Sequence, residues 1–166
     1  MQQKRLSGLM IDYKAWADKR ILETLSDLPD ELLAQQQKII FGSILNTMNH
    51  IYRIDLIWKG HLESKPNSFR SKTPSCPAGI STLLAEMSEL NQWFCNHEEN
   101  LSDKQLREVL EFSFINGEKS AMTRETMLLH VSNHSTYHRG HIADMLYNLG
   151  EKPPVTDLPV YIQSSQ

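Results

Sequence analysis

Apolar residues recur at intervals of three and four through most of this chain, the spacing that gathers side chains onto one face of an α-helix. From Gln2 to Leu25 the series is Leu6, Leu9, Met10, Tyr13, Trp16, Ala17, Ile21, Leu22 and Leu25, with Lys4, Lys14, Lys19 and Glu23 on the opposite, water-facing side. A second series starts at a cap on Ser43 and runs to about Leu62, with Asn46, His50, Ile54, Ile57 and His61 along one stripe. Because Ile54 and Ile57 lie one and two turns beyond it, His50 points toward buried surroundings. From Ser81 to Asn100, Leu83, Leu84, Met87, Leu90, Phe94 and Cys95 share a face opposite Glu86, Glu89 and Glu98. Trp93 is there as an exposed aromatic, and His97 as a surface residue at the negative end of the helix dipole. The fourth series begins at a Thr123 cap and ends at Leu149, where Gly150 and Pro153-Pro154 stop it.

Between these runs the chain is punctuated by turn residues. Pro29 starts a short helical turn, and Ser102 caps another. Glu63 to Gly79, with Pro66, Pro74 and Pro77, reads as a connection in preference to a lid. Asn116-Gly117 sits between the extended runs EFSFI and EKSAM, which predicts a β-hairpin with a two-residue turn of positive φ. A hairpin is marginal alone, so it must lie on the helices. The tail VTDLPVYIQ is placed to pack Val155, Leu158, Val160 and Tyr161 back onto them. The sum is an all-α four-helix bundle with a short hairpin before the last helix, in one domain spanning 1–166.

Composition narrows the function classes. Apolar residues make up 40% and charged ones 22%, the balance of a water-soluble globular chain. A net charge of -3 and the lack of a basic run argue against nucleic acid as a partner. No apolar run reaches the roughly 20 residues of a bilayer span, and no signal-peptide pattern opens the chain, so a cytoplasmic location without membrane attachment is expected. Cys76 and Cys95 lack redox spacing and are expected as free thiols.

Candidate chemistry lies in the fourth helix, which holds His130, His134, His138 and His141, four of the seven histidines. Side chains four apart on a helix are nearly superposed, so His130/His134 and His134/His138 are each pairs able to grip one ion. Each four-residue step drifts about 40°, so His130 and His138 are roughly 80° apart and will not both join His134 on one ion. Spacing alone does not choose the pair, and ordinary hydrogen-bonded histidines remain the competing reading. Any metal site needs a partner from another helix, and His50 is the buried candidate.

Across nearly its whole length the chain resembles the DinB/YfiT-like metalloenzyme family. The matching stretches are YKAWADKRIL from Tyr13, FGSILNTMNHIYRIDLIW from Phe41, FSFINGE from Phe112, HVSNHSTYHRGHI from His130 and LGEKPPVTDLPVYI from Leu149. The resemblance implies an up-down-down-up bundle, a homodimer, and a divalent ion such as Zn, Ni or Fe on His50, His134 and His138. His130 then becomes a neighbour, and Asn46, Tyr137 and His141 are further residues that could surround the ligands. Two positions depart from the family pattern: His141 stands where Gln is usual after HRG, and Asp18 where the early helix usually reads W-A-N. The chemistry implied is transfer of a low-molecular-weight thiol onto a small-molecule electrophile, or a related thiol-dependent isomerisation. Metal-dependent hydrolysis and a non-catalytic metal-binding stress protein are the alternatives.

Overall fold

The computed structural model describes residues 4–65 and 69–165. The expected helix start at Gln2 and the Pro66 end of the long connection lie outside them. Helix α1 spans Leu6–Ser26, the short α2 Asp30–Ala34, α3 Ile44–Leu62, α4 Ile80–Glu99 and the single turn α5 Asp103–Leu106. Strands β1 (Val109–Ser113) and β2 (Lys119–Thr123) follow, then α6 (Arg124–Asn148) and α7 (Leu158–Ser164). Several caps lie where the sequence puts them. Ser43 Oγ accepts from Asn46 N–H, Thr123 Oγ1 from Thr126 N–H, and Ser102 forms a reciprocal capping box with Gln105. Gly150 ends α6 with φ +80°, a conformation that side chains with a Cβ adopt at a cost. Pro29 is the cap residue of α2 and not its first helical residue.

Contacts between helices set their directions. Met10 lies by Ser132 and Asp18 by Ser135 and Arg139, so α1 and α6 run parallel. Ser7 meets Glu98 and Lys14 meets Asn91, so α4 runs against α1. Arg124, at the start of α6, donates to the Leu62 carbonyl at the end of α3, which makes that pair antiparallel. The order is therefore up, down, down, up. The parallel pair α3 and α4 needs the long crossover, whose end is held by Asn49, which donates to the Ala78 carbonyl and accepts from its N–H.

The hairpin differs from the expected turn. Phe114 O accepts from Gly117 N–H at 2.8 Å and Phe114 N–H donates to Glu118 O at 2.9 Å, leaving a three-residue loop, Ile115 to Gly117. Only the glycine takes positive φ, +87°; Asn116 instead accepts from Glu118 N–H through its side chain. Buried Phe112 packs edge-on against Trp58, which seats the hairpin on α3. At the other end Tyr13 donates to the Thr156 carbonyl and packs at a tilt against Tyr161, bringing α7 back onto α1, although Val155 stays exposed.

The core face of α1 keeps Tyr13, Ala17, Ile21, Leu22 and Leu25 of the apolar stripe but also takes in polar residues. Leu6 is 60% exposed, and the buried seam is Ser7, Ile11, Lys14, Asp18, Ile21 and Leu25, spaced alternately four and three. Lys14 is entirely buried. Its ammonium lies 2.7 Å from Asp18 Oδ2, 2.7 Å from Asp55 Oδ2 and 2.6 Å from Asn91 Oδ1. Asp18 Oδ1 in turn accepts from Ser135 Oγ at 2.6 Å and Arg139 Nη1 at 2.7 Å. Two cations and two carboxylates thus balance in the centre of the bundle, as burial of charge requires. Burial pushes the Asp18 carboxyl up, but the Lys14 and Arg139 charges outweigh it and hold it at about 2. Asp55 shares only Lys14, faces the Asp18 charge, and has no aligned hydrogen-bond donor on either oxygen, so burial raises it to about 6.

Two other polar assignments also change. Glu98 is buried, accepting from Ser7 Oγ at 2.7 Å and facing the Arg5 guanidinium. His97 is half-buried and stacked on Trp93 at 4.6 Å, and burial together with Arg124 lowers its pKa, so it is not a solvated cation at the helix end. Trp93 is itself partly covered, with the Lys59 ammonium 5.1 Å from its ring.

Candidate metal centre

Helix α6 presents His134 and His138 one turn apart, and α3, running against it, brings His50 to meet them. One ring nitrogen from each of the three lies within 4.8 Å of the others. His50 Nε2 and His134 Nε2 are 3.2 Å apart. Two nitrogens bound about 2.0–2.1 Å from a tetrahedral ion would be separated by about 3.3 Å, so this pair already has the spacing of donors on one ion.

Two of the three rings are steered by a neighbour. The Lys72 carbonyl lies 3.0 Å from His50 Nδ1, which places the proton there and leaves Nε2 free to donate its lone pair inward. Phe41 stacks on that ring at 4.0 Å, and Asn46 Nδ2 donates to the Phe41 carbonyl. Asn46 therefore acts through Phe41 and not on the ligands. His141 Nδ1 lies 3.3 Å from His138 Nδ1, which occupies that nitrogen and turns the other one of His138 toward the centre. His130 stands one turn before His134, at a ring separation of 5.9 Å, with its edge on Trp58. Tyr137 is 63% exposed and packs edge-on against both His138 and His141.

Two residues on the back of α6 fix its rotation. Ser135 and Arg139, each immediately after a candidate ligand, both donate to Asp18 Oδ1. The departure from the usual W-A-N residue is thus a buried counter-charge that holds the histidine-bearing helix. Neither Lys72 nor Phe41 carries a sequence signal for this site; both sit in irregular connections where only the folded chain shows what they touch. The long connection is accordingly more than a spacer.

The imidazoles are held neutral. Burial, and after it the neighbouring His138, His50 and His130 rings and Lys14, lowers His134 to about 2. Burial followed by His50 and His141 lowers His138 to about 4, and burial lowers His50 against the pull of the Lys72 carbonyl. Neutral imidazole is the form that binds a metal. It follows that the unfolded chain, titrating near 6.5, binds protons at His134 and His138 that the folded chain refuses. Stability of the metal-free protein should therefore fall as pH drops below about 6.5 and go on falling toward 4. Urea unfolding of His134→Gln against wild type between pH 7 and 4 should show a slope shallower by roughly one proton; equal slopes would contradict the depressed value.

The centre opens into a cavity of about 450 Å³. Its walls include Phe41, Ile54, Ile57, Trp58, Phe114 and Ile115, with His61, His130 and Tyr137 at the sides; Lys72 supplies the one charged residue among those lining it. No carboxylate lines it among the described residues.

A four-helix bundle whose facing helices gather three neutral imidazoles beside such a cavity has the donors with which a bundle core could hold a metal ion. The sequence model of the DinB family matches residues 1–166, and this chain belongs to that family. It is 29% identical over 164 residues to Protein DinB of Bacillus subtilis (strain 168), covering 92% of this chain and 91% of that one. A crystal structure of a DinB-like protein from Bacillus cereus ATCC 10987 has the same fold, with a TM-score of 0.68 at 19% identity over 87% of this chain and 91% of that one. No helix among the described residues is long and apolar enough to cross a membrane.

Proposed function

We propose that this DinB-family protein is a metal-dependent transferase that joins a low-molecular-weight thiol to a small electrophile, with His50, His134 and His138 as ligands of one divalent ion. The observation that carries this reading is an all-nitrogen, uncharged donor set with one side open to an apolar cavity that contains no carboxylate. Such donors suit Zn, Ni or Fe, and an ion held there supplies Lewis acidity enough to ionise a thiol near neutral pH. The residues of the chain do the remainder. Lys72 O and His141 fix the rings, the aromatic walls exclude water, and His130 and Tyr137 border the space where substrate polar atoms would lie. In the reaction a sulfur–carbon bond forms as the thiol gives up its proton to solvent water and the electrophile's leaving group departs with the electrons of its bond to carbon. A homodimer belongs to the same reading, and sedimentation velocity measures it.

His130 supports one other reading. A neutral imidazole in the same cavity, its pKa lowered by burial, is a fitting general base for hydrolysis. Elemental analysis of untagged protein should find stoichiometric divalent metal, and the d-d bands of the Co²⁺-substituted protein should change when 2-mercaptoethanol is added. A thiol-insensitive spectrum would favour hydrolysis, and absence of bound metal would overturn both.

A further inference from the structure

Three cavities meet at the tip of the hairpin. The one above the histidines shares Ile57 and His61 with a neighbour of about 430 Å³, and Lys72 with another of about 570 Å³. Phe114 and Ile115 line all three. Large apolar side chains also converge on the opening: Ile40 is 75% exposed, Tyr137 63% and Phe114 44%, and they come from three separate segments. Scattered singly, such residues would need no explanation. Gathered at the mouth of a cavity whose inner wall is Ile54, Trp58 and Phe41, they extend one apolar surface from the histidines out to solvent.

We infer that this cavity takes the apolar body, an aryl or branched alkyl group, of the molecule whose polar head reaches the three imidazoles, and that Phe114 and Ile115 set its fit. The inference rests on the metal reading for the head group and on the cavity for the body. A volume of about 450 Å³ is that of a small-molecule site, which commonly spans roughly 300–1,000 Å³. A charged or strongly hydrated group would lose its water there and, away from the three imidazoles, meet few polar groups in return: Lys72, His61, His130 and Tyr137. The hairpin tip is the natural place for selectivity. Phe114, which closes the three-residue loop, and Ile115, its first residue, line the cavities, while the loop's backbone bonds close on themselves.

The test titrates Co²⁺-loaded protein with 2-mercaptoethanol and with 3-phenylpropane-1-thiol, reading the d-d bands. Burying the phenyl ring should make the second thiol bind about tenfold tighter or more. Phe114→Ala and Ile115→Ala should each reduce that ratio severalfold. A ratio near one, with both thiols perturbing the spectrum, overturns the inference while the metal reading stands. In parallel, metal-free protein is titrated with 3-phenylpropan-1-ol while the amide shifts of Phe114 and Ile115 are followed. Shifts there support the apolar site even if Co²⁺ or thiol binding fails and the metal reading falls; unmoved amides overturn it. Self-association that shields the same amides and blocks the alcohol also overturns it, because the mouth would then be an interface between copies.

Discussion

Replacing any one of His50, His134 or His138 by alanine is expected to lower divalent-metal affinity by more than about 100-fold, since loss of a residue that merely orients a ligand already costs roughly 10–100-fold. The rings come from two helices and the nearest pair is 3.2 Å apart, so removing one leaves two donors and an ion with its coordination half made by water. His141→Ala, which removes only the neighbour of His138 Nδ1, should fall in the 10–100-fold range, and His130→Ala should bind as wild type does. Competition with a chromogenic chelator measures each value. Because an ion that binds only the folded state stabilises it, metal at 100 times its Kd should raise wild-type stability by about 2.7 kcal/mol. For a domain of this size that is a melting shift of about 5–10 °C. Ligand variants should show no such shift. Equal loss in His130→Ala and His50→Ala would remove the ligand assignment.

The buried charges should give the second large effect. Lys14→Met takes the cation from between Asp18 and Asp55 and leaves two carboxylates facing each other without water, a change expected to cost about 3–5 kcal/mol in urea unfolding. Asp18→Ala should cost a similar amount, because Lys14 and Arg139 then lose their shared acceptor. It should also weaken metal binding, since Ser135 and Arg139 no longer hold the helix whose next residues back are His134 and His138. Asp18→Asn retains an acceptor oxygen but not the charge, and should lie between. A loss below about 1 kcal/mol in Lys14→Met would mean that the remaining groups reorganise freely and that the seam is not a rigid part of the bundle.

The helices and most of their ends were legible in the chain, since a period of three to four, a Ser or Thr cap and a terminal Gly act within a few residues of each other. The histidine pair on α6 was legible for the same reason. Which pair, and with what partner, was not. Spacing left His130/His134 and His134/His138 equivalent, and only the resemblance to relatives favoured the latter with His50.

What local pattern could not reach is set by contacts between residues far apart along the chain. Lys14 and Glu98 read as water-facing because charge is usually exposed, yet each, like Asp18, is buried where an opposite charge on another element meets it. The hairpin turn has three residues and not two, because the strands pair Ser113 with Lys119 and close on Phe114 and Glu118. Helix α6 shows why this happens where the site lies: it buries Ser132, Ser135, His138 and Arg139 among its apolar residues, so its core face has no simple apolar stripe. Hydrophobic periodicity therefore places secondary structure from neighbours in sequence. The neutral histidine centre, its Lys72 and Phe41 supports and the apolar mouth exist only once helices α3 and α6, the crossover and the hairpin tip are packed together, because each of those contacts joins segments that sequence order keeps apart.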